Sequence, residues 1–291
     1  MPTIKLQWGL WNQMFQYALA YSISQKNNEE IFYDGRSVLE NRFKWANWTF
    51  RDYELNVFWI SKKYSSPSIW ESQYIHPKLY EFFNRLIHWK HYIKEQWGLF
   101  IQEFPKKSYL DGWFQSYRYF EWYEQKLLEL FEVQTAVNKE NQYYLDLIHQ
   151  NEWSAVSLHV RRGDYVSLSG ANKWHGVCSI GYYEAAIDQM IQSVTSPIFF
   201  IFSDDITWCR ENIILPEWVR VYYIDHNGSR WHEDMRLMYS CHHHIIANSS
   251  FSWWWAYLWK NPNKIIVAPQ KWLETDTSST QNLIPPSWIL L

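Results

Sequence analysis

The chain has 291 residues, a formal net charge of −3 and 47% hydrophobic residues. Its length is enough for a large core and indicates two domains rather than one. Because the charge is slightly acidic and no basic stripe is present, the composition argues against nucleic acid as a partner.

The cysteines and the N-terminus predict a cytoplasmic protein. Cys178, Cys209 and Cys241 are odd in number, widely spaced and form no Cys-x-x-Cys pair. This usage is typical of a reducing compartment rather than of a disulfide framework. The first six residues lack the apolar segment of a signal peptide, and the longest apolar runs are too short to cross a membrane.

The tryptophan and glycine contents are abnormal. The chain has 21 Trp and only 9 Gly, whereas ordinary usage of about 7% would give roughly 20 Gly. Several Trp stand in polar contexts where turn chemistry favours glycine, as at Trp48, Trp218 and Trp231. A Trp adopts a positive φ only at a cost that Gly avoids, so we expect strain at some of these positions.

The first half begins like a βαβ unit. A strand over 4–7, a tight turn over 8–11, a helix over 12–23 and a strand over 31–34 follow one another. Asn12 stands near the helix start, where it either caps the helix or faces a ligand. The rest of this half is predicted as a weakly organised region with a helical stretch near 78–94, a strand over 108–114 and helices over 117–131 and 139–150.

The second half alternates strands and helices, which predicts a parallel, doubly wound sheet. We place the domain boundary near residue 150, with a C-terminal tail that could pack back on the first domain. The predicted strands cover 155–160, 198–202, 219–224, 244–247 and 265–268, and the predicted helices cover 182–193 and 232–241.

Four polar clusters follow strands or open helices in the second half, at 159–164, 203–205, 233–234 and 248–252. Ligands of open α/β sheets bind at the carboxyl ends of the strands, and an Arg fork suits phosphate oxygens. Each cluster also has a structural interpretation. Arg161 could form an ion pair with Asp164 or Asp204, and Ser249 could simply cap the helix that follows it.

Two further clusters bear on metals and nucleobases. Glu233 and Asp234 either satisfy a helix dipole or bind the N1–H and amine edge of guanine. Asp204 and Asp205 are adjacent and form no Asp-x-Asp pair, so no metal-bridged diphosphate is indicated. The three consecutive histidines at 242–244 lack the spacing of metal ligands, and we expect no metal site.

Taken together, the motifs resemble the α-1,2-fucosyltransferases, glycosyltransferase family 11. The resemblance extends from residue 6 to about residue 272 and rests on the order of four motifs. These are Gly9-Leu10 with Asn12-Gln13-Met14-Phe15-Gln16-Tyr17, His159-Val160-Arg161-Arg162-Gly163-Asp164-Tyr165, Phe202-Ser203-Asp204-Asp205 with Trp208-Cys209, and Asn248-Ser249-Ser250-Phe251-Ser252-Trp253-Trp254.

The resemblance implies a GT-B-like fold, in which two Rossmann-like parallel-sheet domains face a cleft. It implies an inverting, metal-independent transfer of L-fucose from GDP-β-L-fucose to the 2-hydroxyl of a galactose. The implied partners are GDP-fucose and a galactose-terminated glycan such as an O-antigen. A lipid-linked acceptor would bring the protein to the periphery of the inner membrane.

The resemblance also implies roles for individual residues. Arg161 is similar to the Arg that grips the β-phosphate of the leaving GDP, and Asn12 to a residue of the loop that faces the reacting sugar. Asp164 is our first candidate for the catalytic base, with the departing phosphate as the alternative proton acceptor. The remaining nucleotide contacts are expected near the guanine, from His159 and Asp234, and in the phosphate-binding turn, from Asn248, Ser249, Ser250 and Phe251.

The sequence departs from the family pattern at Trp8, Trp11 and Trp255, where the family has Gly. An indole there would fill the site or strain the backbone. Three interpretations therefore stay open. The chain is an active fucosyltransferase, a glycan- or nucleotide-binding relative that has lost its chemistry, or a transferase for another GDP-sugar.

Overall fold

A computed structural model describes residues 2–35, 53–60, 82, 85–86, 88, 91–96, 99–150, 152–163, 176–228, 230–259, 261–273 and 280–291. The chain forms two compact units, Met1–Gln134 and Thr135–Leu291. The domain boundary near residue 150 stays a prediction.

The first unit has a parallel sheet of four strands in the order β2-β1-β4-β3. Lys5 at the end of β1 forms a 3.1 Å ion pair with Asp111 at the end of β4, so the carboxyl ends of the two central strands are tied together. The strands are β1 (Thr3–Lys5), β2 (Phe32–Asp34), β3 (Tyr92–Lys94) and β4 (Tyr109–Asp111).

Helix α1 (Leu10–Asn27) begins two residues earlier than the predicted 12–23. Gly9 occupies the N-cap position with an extended backbone, so Asn12 lies inside the first turn and does not cap the helix. The helix ends at Asn27, and its C-cap residue Asn28 has a left-handed φ of 51°, a conformation that Asn tolerates better than most residues.

The predicted helix over 117–131 is wrong in its first half. Two 3₁₀ turns, Tyr117–Tyr119 and Glu121–Tyr123, precede a short helix α2 (Glu124–Leu130). The reason is aromatic packing, because Phe120 is fully buried with its ring centroid 5.9 Å from that of Phe15. Burying these rings overrides the helical periodicity of the sequence.

The helical stretch predicted near 78–94 is also wrong at its end, since Tyr92–Lys94 is strand β3. Tyr92 stacks on Tyr109 of the neighbouring strand with ring centroids 5.5 Å apart. Such cross-strand aromatic pairs stabilise a sheet and are not visible in local periodicity.

The second unit has a parallel sheet of six strands in the order β10-β9-β8-β5-β6-β7. The predicted strands are all present, and the C-terminal residues add the edge strand β10 beside β9. The strands are β5 (Ser154–Val160), β6 (Pro197–Ser203), β7 (Arg220–Ile224), β8 (His243–Ile245), β9 (Ile266–Ala268) and β10 (Ile289–Leu290).

Helices flank these strands in the alternation that the sequence predicts. Strand β6 is buried along nearly its whole length, which is why it reads as a continuous apolar run rather than an alternating one. The helices are α3 (Lys139–Ile148), α4 (Ile180–Ser193), α5 (Ile206–Asn212), α6 (Trp231–Ser240), α7 (Ser250–Leu258) and α8 (Thr280–Leu283).

The predicted fold class, Rossmann-like α/β with parallel sheets in both halves, is confirmed for each unit by itself. In the part of the chain that the structure describes, no helix has both the length and the apolar character needed to cross a bilayer.

Candidate active site

The first side chain of the site is fixed by the register of two neighbouring strands, β5 and β6. Val160 of β5 pairs with Ser203 of β6, so Arg161 and Asp204 are the first residues beyond the two strand ends. Arg161 Nη1 lies 2.9 Å from Asp204 Oδ2. Both side chains are partly exposed, by 29% and 25%, so the pair lies at the surface of the sheet edge.

The same carboxylate also holds the backbone beyond β5. Asp204 Oδ1 accepts the backbone N–H of Arg162 at 2.9 Å. Gly163 passes so close that a Cβ there would lie 2.7 Å from Asp204 Oδ2. A side chain in place of the glycine of the Arg-Arg-Gly motif would therefore displace this carboxylate. The ion pair expected as an alternative is present.

Arg162 has different partners from Arg161. Its Nε lies 3.5 Å from Asp205 Oδ2, and its guanidinium lies over the Trp208 ring, 4.0 Å from the centroid. Asp205 is the N-cap of α5 and accepts the N–H of Trp208 at 3.1 Å. Arg162 is thus stacked on the start of α5, whereas Arg161 is positioned at the strand ends.

His159 lies just below this edge and is held neutral. It is only 4% exposed, and its Nδ1 is buried without a hydrogen-bond partner. Burial lowers the pKa of His159 to about 3, since the charged imidazolium would be poorly solvated there. Its ring meets Phe251 edge-on, with centroids 5.1 Å apart.

Phe251 belongs to the first turn of α7, the helix that follows the predicted phosphate turn. Ser249 is its N-cap residue with an extended backbone, but its side chain makes no capping bond. Simple N-capping by Ser249 is therefore not its role in this structure. The positive end of α7 and the hydroxyls of Ser249 and Ser250 form a surface suited to an anion.

The side chain of Asn248 fixes the position of this turn through hydrogen bonds. Its buried side chain donates to the carbonyl oxygens of Gly176 and Trp272, each at 3.3 Å. Cys178 Sγ donates to Asn248 Oδ1 at 3.4 Å. The sequence predicts Asn248 as a nucleotide contact, and as placed its side chain joins three segments of the second unit.

Asp234 lies in the first turn of α6 and accepts a hydrogen bond from Asn227 Nδ2 at 2.8 Å. Burial is the main cause that raises the pKa of Asp234 to about 6, and the bond from Asn227 opposes that shift. Glu233 beside it is 3% exposed and bonds to Asn141 of α3. Asn141 has no local sequence signal of a site, and the signal for Asn227 is limited to its place in the polar His226-Asn227-Gly228 turn before α6.

The first unit contains the remaining predicted residues. Asn12 Oδ1 accepts a hydrogen bond from Gln115 Nε2 at 2.5 Å, which joins α1 to the loop after β4. Asp164, the candidate base, lies outside the described residues, as does Trp48.

Trp8 confirms the strain expected where Trp replaces glycine. Its φ is 68°, in the left-handed region, and Gln13 Nε2 donates to its carbonyl oxygen at 2.7 Å. Trp11 and Trp255 lie inside α1 and α7 with helical backbones, so the expected backbone strain is absent there. Trp255 instead fills space, being 1% exposed and packed edge-on against Phe251.

The three consecutive histidines form hydrogen bonds within the sheet of the second unit. His242 Nδ1 accepts the N–H of Ala155, and His243 Nδ1 accepts that of Ile265. His244 Nδ1 lies 2.8 Å from Ser157 Oγ. Within the described ranges, no group of three or more His, Cys, Asp and Glu side chains is arranged to hold a metal ion.

The glycosyl transferase family 11 profile matches residues 1–291, the whole chain. The chain belongs to glycosyl transferase family 11. An Escherichia coli α-1,2-colitosyltransferase is 35% identical over 98% of this chain and 97% of its own length. The E. coli O-antigen biosynthesis glycosyltransferase WbnK is 32% identical over 98% of this chain and 99% of its own.

Two more distant likenesses accompany these. A Bos taurus galactoside α-(1,2)-fucosyltransferase 2 is 30% identical over 62% of this chain and 54% of its own length. Among solved structures, the α-1,6-fucosyltransferase NodZ soaked with GDP-fucose is 15% identical, with a TM-score of 0.45 over 91% of this chain and 94% of its own. The predicted membership of family 11 is thus confirmed by the sequence comparisons.

Proposed function

We propose that this family 11 glycosyltransferase moves L-fucose from GDP-β-L-fucose to the 2-hydroxyl of a galactose, with inversion to an α-linkage. The second unit binds the donor and the first unit binds a galactose-terminated glycan. The observation that carries the proposal is the Arg161 guanidinium, held by Asp204 at the carboxyl end of the central strand of its sheet.

The donor site is assembled from groups that suit each part of GDP. Arg161 and the start of α7, with Ser249 and Ser250, suit the diphosphate, because a cationic fork and a helix N-terminus both stabilise anionic oxygens. His159 and Asp234 are assigned to the guanine end. His159 is buried and neutral, so it contributes no positive charge to the site. We therefore assign the charge interaction with the diphosphate to Arg161.

The reaction breaks the bond between fucose C1 and the β-phosphate oxygen and forms a bond from C1 to the galactose 2-oxygen. Negative charge grows on the departing phosphate, and Arg161 stabilises it electrostatically. The galactose hydroxyl proton goes to Asp164 or to the departing phosphate. An oxocarbenium-like transition state needs no metal, and we propose that the transfer proceeds without one.

The acceptor side is assigned to the first turn of α1 and the loop after β4. Asn12 and Gln115 lie there, joined by a hydrogen bond from Gln115 Nε2 to Asn12 Oδ1. Each side chain keeps further amide hydrogen-bonding capacity, which suits sugar hydroxyls. An acceptor carried on a lipid would bring the protein to the inner membrane surface, and we propose such peripheral contact for that reason alone.

Colitose is a second candidate for the transferred sugar. It is L-fucose without its 3-hydroxyl, and the relative at 35% identity is named an α-1,2-colitosyltransferase. A site that hydrogen-bonds the 3-hydroxyl would reject the deoxy sugar strongly, whereas a site without that contact would accept both sugars.

The test is transfer itself. The protein is incubated with GDP-fucose or GDP-colitose and methyl β-D-galactoside, without added metal and with a chelator, and the linkage is read by NMR. An α-1,2-fucosyl product formed faster than the colitosyl product supports the proposal. Faster colitosyl transfer would reassign the donor, and GDP binding without either product would favour the binding relative that has lost its chemistry.

A further inference from the structure

Asp234 is the partly exposed end of a chain of hydrogen-bonded side chains, which we call the amide relay: Glu233, Asn141, Asn227 and Asp234. Asn141 Nδ2 donates to Glu233 Oε2 at 2.8 Å and to Asn227 Oδ1 at 3.0 Å. Asn227 Nδ2 donates to Asp234 Oδ1 at 2.8 Å. Glu233, Asn141 and Asn227 are each at most 3% exposed, whereas Asp234 is partly exposed.

The relay has a fixed direction, and Glu233 sets it. Glu233 Oε2 accepts from Asn141 at 2.8 Å, and the guanidinium of Arg236, which can only donate, lies beside the same oxygen with its Nε 3.6 Å away. Asn141 must therefore turn its NH₂ group toward Glu233. The second N–H of that group then points to Asn227 Oδ1, and Asn227 is left with its own NH₂ group facing Asp234.

His226 completes the constraint on Asn141. His226 Nε2 lies 2.7 Å from Asn141 Oδ1. In the tautomer that carries its hydrogen on Nε2, this N–H donates to Oδ1, the single acceptor atom of the Asn141 side chain. The His226 ring stacks on Tyr144 of α3 with centroids 5.2 Å apart, which fixes its plane. Neither amide can flip without breaking two hydrogen bonds inside a buried network, which is costly.

We propose that Asn227 is a positioning residue for nucleobase selection: through the amide relay it holds Asp234 as an ionised, acceptor-only carboxylate that accepts from a guanine base. This rests on the proposed function, which assigns the donor nucleotide to the second unit. Guanine presents two adjacent donors, N1–H and the exocyclic amine, which a carboxylate matches. Adenine presents an acceptor at N1, which a carboxylate repels.

The electrostatic surroundings agree with this role. Burial and the nearby Glu233 both raise the pKa of Asp234, to about 6, while the hydrogen bond from Asn227 and the charge of Arg230 lower it. Without Asn227 the pKa of Asp234 rises further, so a larger share of Asp234 is protonated at neutral pH. A protonated Asp234 presents an O–H to the guanine donors and binds them poorly.

The experiment measures GDP and ADP affinities of the full chain by calorimetry between pH 5 and pH 8.5. In the parent, GDP binding is expected to weaken as the pH falls through about 6, the pKa of Asp234, with ADP binding weak throughout. Asn227→Ala is expected to lower GDP affinity about tenfold at pH 7, to leave ADP affinity unchanged and to regain GDP affinity at pH 8.5, as expected for one lost hydrogen bond to a charged group.

Asn212→Ala is the matched control, because Asn212 donates to Trp208 O at 2.9 Å within its own helix. It should leave both affinities and the pH midpoint unchanged. Asn227→Asp provides a second variant that keeps the shape of the side chain but has no N–H to donate, and it should shift the midpoint upward as Asn227→Ala does.

An Asn227 variant that lowers GDP and ADP affinity equally, or that leaves the pH midpoint of GDP binding in place, would overturn the relay. The proposed function fails differently. A parent chain that binds neither nucleotide at any pH overturns both proposals, whereas GDP binding with the expected pH dependence but without sugar transfer supports the relay and contradicts only the chemistry.

Discussion

Asp204 Oδ2 lies 2.9 Å from Arg161 Nη1, while its other oxygen accepts the N–H of Arg162 at the same distance. One carboxylate at the end of β6 thus fixes both a side chain and the backbone at the end of β5. The ion pair is a structural contact, but it also pre-orients the cation. A guanidinium has five N–H donors, so binding to a carboxylate and binding to a phosphate are compatible.

Gly163→Ala tests the packing around Asp204. A Cβ at this position would lie 2.7 Å from Asp204 Oδ2, so the carboxylate must move and its hold on Arg161 is disturbed. We expect GDP affinity to fall about 5- to 10-fold and the free energy of unfolding to fall by about 1–3 kcal/mol, the cost of a disturbed charged hydrogen bond. Calorimetry and urea denaturation measure the two effects.

Gly181→Ala is the control for that substitution. Gly181 lies in the first turn of α4, where an added Cβ would meet nothing closer than Ser179 Oγ at 3.9 Å. Alanine in a helix is favoured over glycine by about 0.5–1 kcal/mol, so this variant should be as stable as the parent or more stable, with unchanged GDP affinity. Equal losses of GDP affinity and of unfolding free energy in Gly163→Ala and Gly181→Ala would show that the contact with Asp204 is not the cause.

Trp8→Gly should stabilise the protein and raise fucosyl transfer. Trp8 has a φ of 68°, and a non-glycine residue in that region costs about 1–2 kcal/mol. Glycine relieves the strain and also removes an indole from the loop beside Asn12. Trp11 and Trp255 have helical backbones, so glycine at those positions would remove bulk without relieving strain.

Trp59→Gly is the control that separates the two effects of Trp8→Gly, relief of backbone strain and removal of an indole near the site. Trp59 has a φ of 56° and is 77% exposed at the end of a 3₁₀ turn. Its replacement should stabilise the protein by a similar amount and leave the transfer rate unchanged. If Trp8→Gly and the parent transfer fucose at the same rate, the indole does not obstruct the site.

The neutral, buried His159 predicts loss of stability in acid. In the unfolded chain the imidazole takes up a proton near pH 6.5, whereas burial keeps the pKa of His159 at about 3 in the folded protein. The free energy of unfolding should therefore fall as the pH drops from 6.5 toward 3. For this one group the slope is about 1.4 kcal/mol per pH unit.

His159→Gln removes the titrating imidazole. The free energy of unfolding should then fall less steeply with pH, by about 1.4 kcal/mol per pH unit. Urea titrations of both proteins at several pH values between 4.5 and 6.5 measure the difference. The same slope in parent and variant would mean that His159 is protonated in the folded protein.

Much of the second unit could be predicted from sequence, because parallel strands buried on both faces read as short β-branched or aromatic runs. Strand β6 and helix α4 fall within two residues of their predicted bounds. The Arg161–Asp204 contact could be anticipated only as one of two pairings, since the choice depends on the register of β5 against β6.

The amide relay could not be predicted from the sequence. Asn141 and Asn227 are 86 positions apart, and each looks like an ordinary helix or turn residue on its own. The break in the helix predicted over 117–131 was equally invisible, because it depends on the packing of Phe120 against Phe15 from a different part of the chain.

The donor site is tested most directly by GDP binding without metal, measured by calorimetry on the parent, Arg161→Ala and Arg210→Ala. Arg210 is the control, since it forms a surface ion pair with Asp225 in which both side chains are about half exposed. We predict that Arg161→Ala lowers GDP affinity by at least tenfold, as expected for losing a charged phosphate contact, and that Arg210→Ala leaves it unchanged. Equal GDP affinity in the parent and in Arg161→Ala would contradict the proposed placement of the diphosphate.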